Sequence, residues 1–251
     1  GRGRIENAEE AVFDGKSFFW IAEDIAGASM GRKGTSTWSV RRLPVAGGNV
    51  ETLYTSNRAL ARLVKAGDRL VFERNDTPEK ALPPGAKKPS YEPQTWGLLA
   101  LPEGGGAPEV RVASVDSGNG TRLVTDGVRV YFVSSPDPTP TFSLVRVSPS
   151  GHSSPERVDD WVIEVKFGSP YGVDRFLLVA TAMDRAPAVG VSPETRTYLY
   201  TGNRTTGTLD PRVCLANAFN PHAYAVLGKT LLLASQVERT SSEGVVKWSL
   251  P

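Results

Sequence analysis

The chain has 251 residues, with 29 Lys and Arg against 27 Asp and Glu, a formal net charge of +2 at pH 7. Such near-balance provides no bulk field for nucleic acid or an anionic membrane surface, and no nucleic-acid partner is expected. A single cysteine, Cys214, excludes an intrachain disulfide and a thiolate metal site, and no apolar run approaches the roughly 20 residues of a spanning helix.

With 25 Gly and 19 Pro the composition points to many short strands and turns rather than long helices. No segment keeps apolar residues at i, i+3, i+4 and i+7 over three turns, so the pattern is all-β. Taken in order, the strands repeat. A glycine turns the chain between two apolar runs in VFDGKSFFW (Gly15), VKAGDRLVFE (Gly67), VTDGVRVYFV (Gly127), PYGVDRFLLV (Gly172) and VLGKTLLLA (Gly228). Glycine suits a tight hairpin because a central residue there needs positive φ. The intervals are 52, 60, 45 and 56 residues, near the period of propeller blades.

A third-strand pattern follows each turn. It reads TWSVRRLP (Thr37 to Pro44), TWGLLALP (Thr95 to Pro102) and TFSLVRVS (Thr141 to Ser148), with weaker copies at Thr195 to Gly202 and Gly244 to Pro251. Glycine-rich turns at Gly47-Gly48, Gly104 to Gly106, Gly151 and Gly207 lead to fourth strands near Val50, Val110, Arg157 and Val213. Two anchors recurring in one order predict radial repetition of four-stranded antiparallel sheets, a β-propeller. A β-sandwich spaces strands evenly too, but has no reason to repeat a four-strand unit. The predicted blades are 6–56, 57–117, 118–160, 161–217 and 218–251 of one domain, with 1–5 as a closing outer strand. The expected ring has five blades; the alternative is a piece of a larger propeller. The chain opens at Gly1 rather than at a methionine, which fits a removed leader and a trimmed chain alike.

DGVRVYFV, with SLVRVSPSG and WSVRRLPVAGGNVETL, resembles the repeats of bacterial secreted and periplasmic propellers of the TolB-like and YWTD-like kind. The likeness spans nearly the whole chain but consists of scaffold residues. It departs from YWTD repeats in lacking their Asp, and from WD repeats in lacking the Gly-His and Trp-Asp pairs. The resemblance implies a secreted, periplasmic or cell-surface scaffold that binds a protein or peptide. Fold likeness alone does not supply the partner.

The connections between second and third strands are the long ones, roughly 24–37, 75–94, 135–141, 183–195 and 237–244, and all leave one face. Loops on a rigid scaffold carry recognition, so this face is the expected binding surface. Candidate contacts are Arg32, Lys33, Lys87, Lys88 and Tyr91 in the first two loops, and Trp38 and Trp96 at the start of the third strands. The aromatic pair suits a stacking platform for peptide side chains or sugars, and equally suits packing between blades.

Asn7, Asn57, Asn119 and Asn220 fall eight to ten residues before their turn glycines, and Asp160 stands near the matching place in the fourth blade. Together they would ring a channel mouth with oxygen ligands of the kind Ca²⁺ or ordered waters take, or serve Asx turns. No other cofactor, and no resident metal, is expected. No catalytic constellation is found. Glu10, Asp159, Asp160 and Glu164 offer no clear facing pair for glycoside hydrolysis, and His152 and His222 lack a nucleophile elbow or zinc partners. The expected function is a non-enzymatic binding scaffold, with a carbohydrate-binding or glycoside-active propeller as the rival. Cys214, on an apolar fourth strand, is expected to be a half-buried core thiol.

Overall fold

A computed structural model describes residues 11–27, 34–77, 94–115, 122–134, 142–151, 153–183, 194–217, 221–236 and 243–250. The described residues form five antiparallel sheets in which neighbours in sequence are neighbours in space. The first sheet holds β1 (Ala11–Phe13), β2 (Ser17–Ala26), β3 (Thr35–Pro44) and β4 (Glu51–Ser56). The second holds β5 (Leu60–Ala66), β6 (Arg69–Asn75), β7 (Trp96–Pro102) and β8 (Glu109–Val115). The third consists of β9 (Val124–Thr125), β10 (Val130–Ser134), β11 (Ser143–Val147) and β12 (Glu156–Asp160). In the fourth are β13 (Val162–Tyr171), β14 (Arg175–Met183), β15 (Thr195–Asn203) and β16 (Val213–Asn217). The fifth sheet has three described strands, β17 (Pro221–Leu227), β18 (Thr230–Gln236) and β19 (Glu243–Ser249).

The turn glycines do what the sequence pattern requires. Gly15, Gly67, Gly127, Gly172 and Gly228 all close the first hairpin of their sheet with φ between 60° and 90°, a region L side chains enter only at a cost. The third sheet differs from the others at this hairpin. Its second strand begins at Val130, because the Asp126 carboxylate accepts the N–H groups of Val128 and Arg129 at 2.7 and 2.6 Å. That Asx turn removes both residues from the ladder.

Central strands lose the simple in-out alternation. Leu98 to Leu101 of β7 and Phe176 to Ala180 of β14 are fully buried along their length, as happens when a sheet is covered on both faces. The chain divides into two compact units, 1–118 and 119–251. Within the first, Phe19, Ile21 and Val40 of one sheet pack on Leu63, Leu70, Phe72 and Leu99 of the next. In the second, Tyr131, Val133 and Leu144 meet Phe176, Leu178 and Tyr200, and Leu177 and Val179 meet Leu231 and Leu233. Sheet stacks on sheet, and each stack buries the alternate residues the repeat placed there.

Polar clamps secure these stacks at the hairpin ends. Lys65, near the end of β5, pairs with Asp14 in the β1–β2 turn and with Glu103 after β7, its ammonium 5.4 Å from the Phe19 ring centroid. In the second unit Arg129 donates to the carbonyls of Arg204 and Thr205 at 2.8 and 3.1 Å, and Arg204 donates to the Asp126 carbonyl at 2.7 Å.

Candidate functional site

The connections from second to third strands leave the end of each sheet opposite those hairpins. In the first unit the longest of them spans 76–95, and its two feet are tied together. The Asp76 N–H donates to the Thr95 carbonyl at 2.8 Å, and the Thr95 N–H donates to the Thr77 hydroxyl at 2.8 Å. Thr77 also gives its own N–H to Asn75 Oδ1 at 3.0 Å. Asp76 is gripped from below by two guanidiniums. Arg58, in the connection from the first sheet, reaches Oδ1 at 2.8 Å, and Arg74, the last residue but one of β6, donates to Oδ1 and Oδ2 at 2.7 and 3.2 Å. Arg74 also reaches Tyr54 Oη at 3.4 Å.

Burial alone would raise the Asp76 carboxyl, but the two arginines outweigh it and hold the group below the usual carboxylate range. The carboxylate fits because residue 97 is glycine. A Cβ at Gly97 would lie 2.5 Å from Asp76 Oδ2. Position 97 is the residue after the aromatic in the third-strand pattern, serine in the neighbouring repeats (Ser39 and Ser143). The stem of the 76–95 segment is therefore a built feature: a strand end, a two-arginine grip and a glycine that makes room for it.

The same end of the second unit carries a different cluster. Tyr200 donates its hydroxyl to Asp159 Oδ2 at 2.8 Å, and Arg212 reaches the same oxygen at 3.1 Å while lying 4.5 Å from the Tyr198 ring centroid. Burial pushes the Tyr200 hydroxyl well above its ordinary value, so it remains a donor to the carboxylate at all ordinary pH. Arg212 also donates to the Met183 carbonyl at 3.4 Å, and the Met183 N–H donates to the Trp161 carbonyl at 2.8 Å. Trp161, the one residue between β12 and β13, takes φ 61°. A non-glycine residue in this region costs about 1–2 kcal/mol, and the hydrogen bond from Met183 holds it there.

Of the residues singled out in the sequence, Trp38 and Trp96 are half-buried at the loop end of the first unit. Trp38 packs against the cluster around Phe19 and Leu99, so its ring is engaged in the scaffold. Trp96 pairs with Asn75 in the ladder and so flanks the stem of the 76–95 segment. Asn57 is exposed directly after β4. Asp160 ends β12, the fourth strand of its sheet, rather than opening a first strand, and is held by Arg157 and by Ser143 Oγ at 3.3 Å. Arg32, Lys33, Lys87, Lys88, Tyr91, Asn7, Asn119 and Asn220 lie outside the described residues.

Cys214 corrects an expectation. The thiol is exposed, not half-buried, because β16 is the outer strand of its sheet and its neighbour Val213 is likewise 47% exposed. Sequence reading missed Arg58, Arg74 and Arg212. Each is an ordinary surface cation by composition, and only the register of the sheets brings it to a carboxylate. Among the described residues no group of three or more His, Cys, Asp or Glu side chains is placed to hold a metal ion.

No protein-family model matches the chain, and no curated protein is detectably similar to it in sequence. Solved structures are similar in fold. The β-propeller domain of the Trilobed protease from Pyrococcus furiosus, described as having an open velcro topology, matches 96% of this chain and 68% of its own at 7% identity and TM-score 0.55. A prolyl endopeptidase matches 96% of this chain and 33% of its own at 12% identity and TM-score 0.61. An oligogalacturonate lyase in complex with manganese matches 94% of this chain at 11% identity and TM-score 0.54, and the chain spans 62% of that protein's length. TolB from Acinetobacter baumannii is also similar, over 94% of this chain and 50% of its own at 16% identity and TM-score 0.48. The chain thus has the β-propeller fold its repeats imply. At these identities the likeness is one of scaffold, which hosts peptidases and a lyase alike.

Proposed function

We propose that the chain is a non-enzymatic propeller scaffold that binds a protein or peptide partner through the end of the sheets from which the second-to-third-strand connections leave. The observation that supports it is the stem of the 76–95 segment. Arg58, Arg74 and Gly97 are spent on fixing Asp76, and the feet of the segment are hydrogen-bonded to one another. A pinned stem lowers the ordering cost of binding for whatever the segment presents. What it presents by sequence is Pro-rich and basic, with Lys80, Lys87, Lys88 and Tyr91, a composition suited to an extended recognition segment. The TolB-like resemblance of the repeats agrees with a scaffold acting outside the cytoplasm.

The test is capture of a partner from the native source by the whole chain and by a variant lacking Pro78 to Pro93. Loss of the captured protein with the variant supports the proposal, and equal capture by both overturns the assignment to this segment. Turnover of an oligosaccharide by the purified chain would instead establish the glycoside-active alternative.

A further inference from the structure

The third-strand position after the aromatic, held by Ser39, Gly97 and Ser143 in the first three sheets, meets a carboxylate in two of them. Asp76 Oδ2 lies 2.5 Å from where a Gly97 Cβ would stand, and Ser143 Oγ donates to Asp160 Oδ1 at 3.3 Å. Each of those carboxylates also takes a guanidinium, from Arg58 and Arg74 on Asp76 and from Arg157 on Asp160. Position, carboxylate and arginine thus occur together, although the carboxylate comes from a different element each time.

The first sheet has the position and the arginine but not the carboxylate. Ser39 is 2% exposed, and its hydroxyl has no hydrogen-bond partner. Its ladder neighbour on the fourth strand is Thr55, where Ser143 has Asp160. Burying a hydroxyl without a partner is costly, and native folds keep few such groups.

Arg41 supplies the guanidinium. The pairing of β2 with β3 is unbroken, so Trp20 with Arg41, Ala22 with Ser39 and Asp24 with Thr37 are alternate rungs on one face. Arg41 Nη2 pairs with Asp24, from the first of those rungs to the third. The gap is four residues of strand, about 13 Å, so the arginine side chain runs along the sheet across the rung between. That rung holds two small side chains, Ala22 and Ser39, at 3% and 2% exposure. Asp24 ends the span with its side chain 59% exposed and does not reach the Ser39 hydroxyl. Among the described residues it is the one hydrogen-bond partner of Arg41, whose Nε and Nη1 donate to none. An unmet buried hydroxyl and an arginine fork with unused donors therefore lie on neighbouring rungs.

We propose that Ser39 and Arg41 bind the carboxylate of a ligand, in the place beside this position that Asp76 and Asp160 fill in the next two sheets, and that Asp24 is the resident competitor for the guanidinium. A carboxylate accepts from the planar fork and from the hydroxyl at once, and so satisfies the donor that the chain itself leaves unmet. The exposed pair of Arg41 with Asp24 is of the weak kind and yields to a ligand that makes both contacts. The site lies on a strand face and is independent of the 76–95 segment.

The probes are acetate, which is the carboxylate alone, and the acetylated peptide Gly-Gly-Ala with a free C-terminus, compared with its amidated form. Binding is followed by the NMR shifts of the Ser39 and Arg41 amides and of Arg41 Nε. Acetate is expected to saturate these shifts. Asp24→Asn is expected to tighten binding about threefold by removing the competitor, and Arg41→Lys, which keeps the charge without the fork, to weaken it about tenfold. Ser39→Ala is expected to weaken it about fivefold while leaving the chain at least as stable in urea, because it removes an unmet hydroxyl. Unchanged binding by a folded Ser39→Ala chain, binding not tightened in Asp24→Asn, or shifts that never saturate overturn the proposal. Inorganic phosphate that saturates the shifts where acetate does not overturns the choice of carboxylate. Tighter binding of the free-terminus peptide than of acetate, lost on amidation, supports the site with a chain terminus as its ligand. Equal binding of the two supports it with a small acid. The variant lacking Pro78 to Pro93 is expected to bind acetate as the whole chain does, even where partner capture is lost.

Discussion

Replacing Asp14 by asparagine isolates one charge in the clamp of the first unit. Asp14 Oδ1 accepts the N–H groups of Lys16 and Ser17 at 2.8 and 2.7 Å, and Oδ2 faces the Lys65 ammonium. Asparagine keeps the turn by using its carbonyl oxygen on the backbone, and turns its NH₂ toward Lys65. The clamp is well covered, with side-chain exposures of 10% for Asp14 and 16% for Lys65. Burial alone would raise the Asp14 carboxyl, but Lys65 and the two backbone donors outweigh it and bring it down to about 2. A carboxylate lowered from its ordinary value near 4 to that level carries about 2.5 kcal/mol of linked stability at neutral pH. Lys65 keeps Glu103 at 2.8 Å, so the expected loss in Asp14→Asn is about 1.5 kcal/mol. Because the folded value is the lower one, this contribution is fully present above about pH 5. It fades as pH falls through the unfolded value near 4 toward 2. The measurement is urea denaturation of both chains by tryptophan fluorescence at pH 7 and near pH 2. A difference below about 0.5 kcal/mol at pH 7, or one that persists undiminished at pH 2, would refute the electrostatic account.

Three further outcomes follow from particular contacts. Gly97→Ala places a Cβ against Asp76 Oδ2 and is expected to cost about 1 kcal/mol. Because the obstacle is the end of a side chain, that cost should shrink when combined with Asp76→Ala in a double-mutant cycle. Gly202→Ala meets the buried Phe176 ring at 2.6 Å and the Thr208 carbonyl at 2.7 Å; neither can give way cheaply, and a loss of about 3 kcal/mol in urea denaturation is expected. A loss under about 1 kcal/mol would show that the strand shifts freely there. Cys214 is exposed on an outer strand and is expected to react with a thiol reagent in the folded chain at nearly the rate of the urea-unfolded chain. Strong protection would return it to the core.

Much of the fold was legible because a repeat writes the same physical demand several times. A glycine at positive φ between two apolar runs is weak evidence once and strong evidence five times, and all five sit where the hairpins need them. Third strands were legible through their pattern of Thr, aromatic and apolar residues. The late start of the second strand in the third sheet is not legible from hydropathy, because the side chain of Asp126 competes with the ladder for the N–H groups of Val128 and Arg129. Strand edges were harder again. Cys214 reads as core by hydropathy, yet the outer strand of a sheet is covered less than the strands inside it, and Cys214 and its neighbour Val213 are both exposed.

The candidate site was less legible for a reason rooted in the same repetition. Residues that recur at one blade position read as scaffold, and Trp38 is indeed packed into the stack of the first two sheets. The departures carry more information, but a single sequence does not say what they accommodate. Gly97 in place of the serine of neighbouring repeats becomes meaningful only when the Asp76 carboxylate is seen lying where a Cβ would be. The basic residues ahead of the turn glycines are the converse case. Arg62, Arg122, Lys166 and His222 differ in identity and drift by a residue against the turn glycine, so a search for identical letters passes over them. The ladder shows where three of them stand: Arg62, Lys166 and His222 each fall in or beside an extra residue of the first strand, and Arg122 precedes β9. Pairing separates two of them: Arg62 is joined to the buried Glu73, and Arg122 is exposed with no carboxylate partner among the described residues.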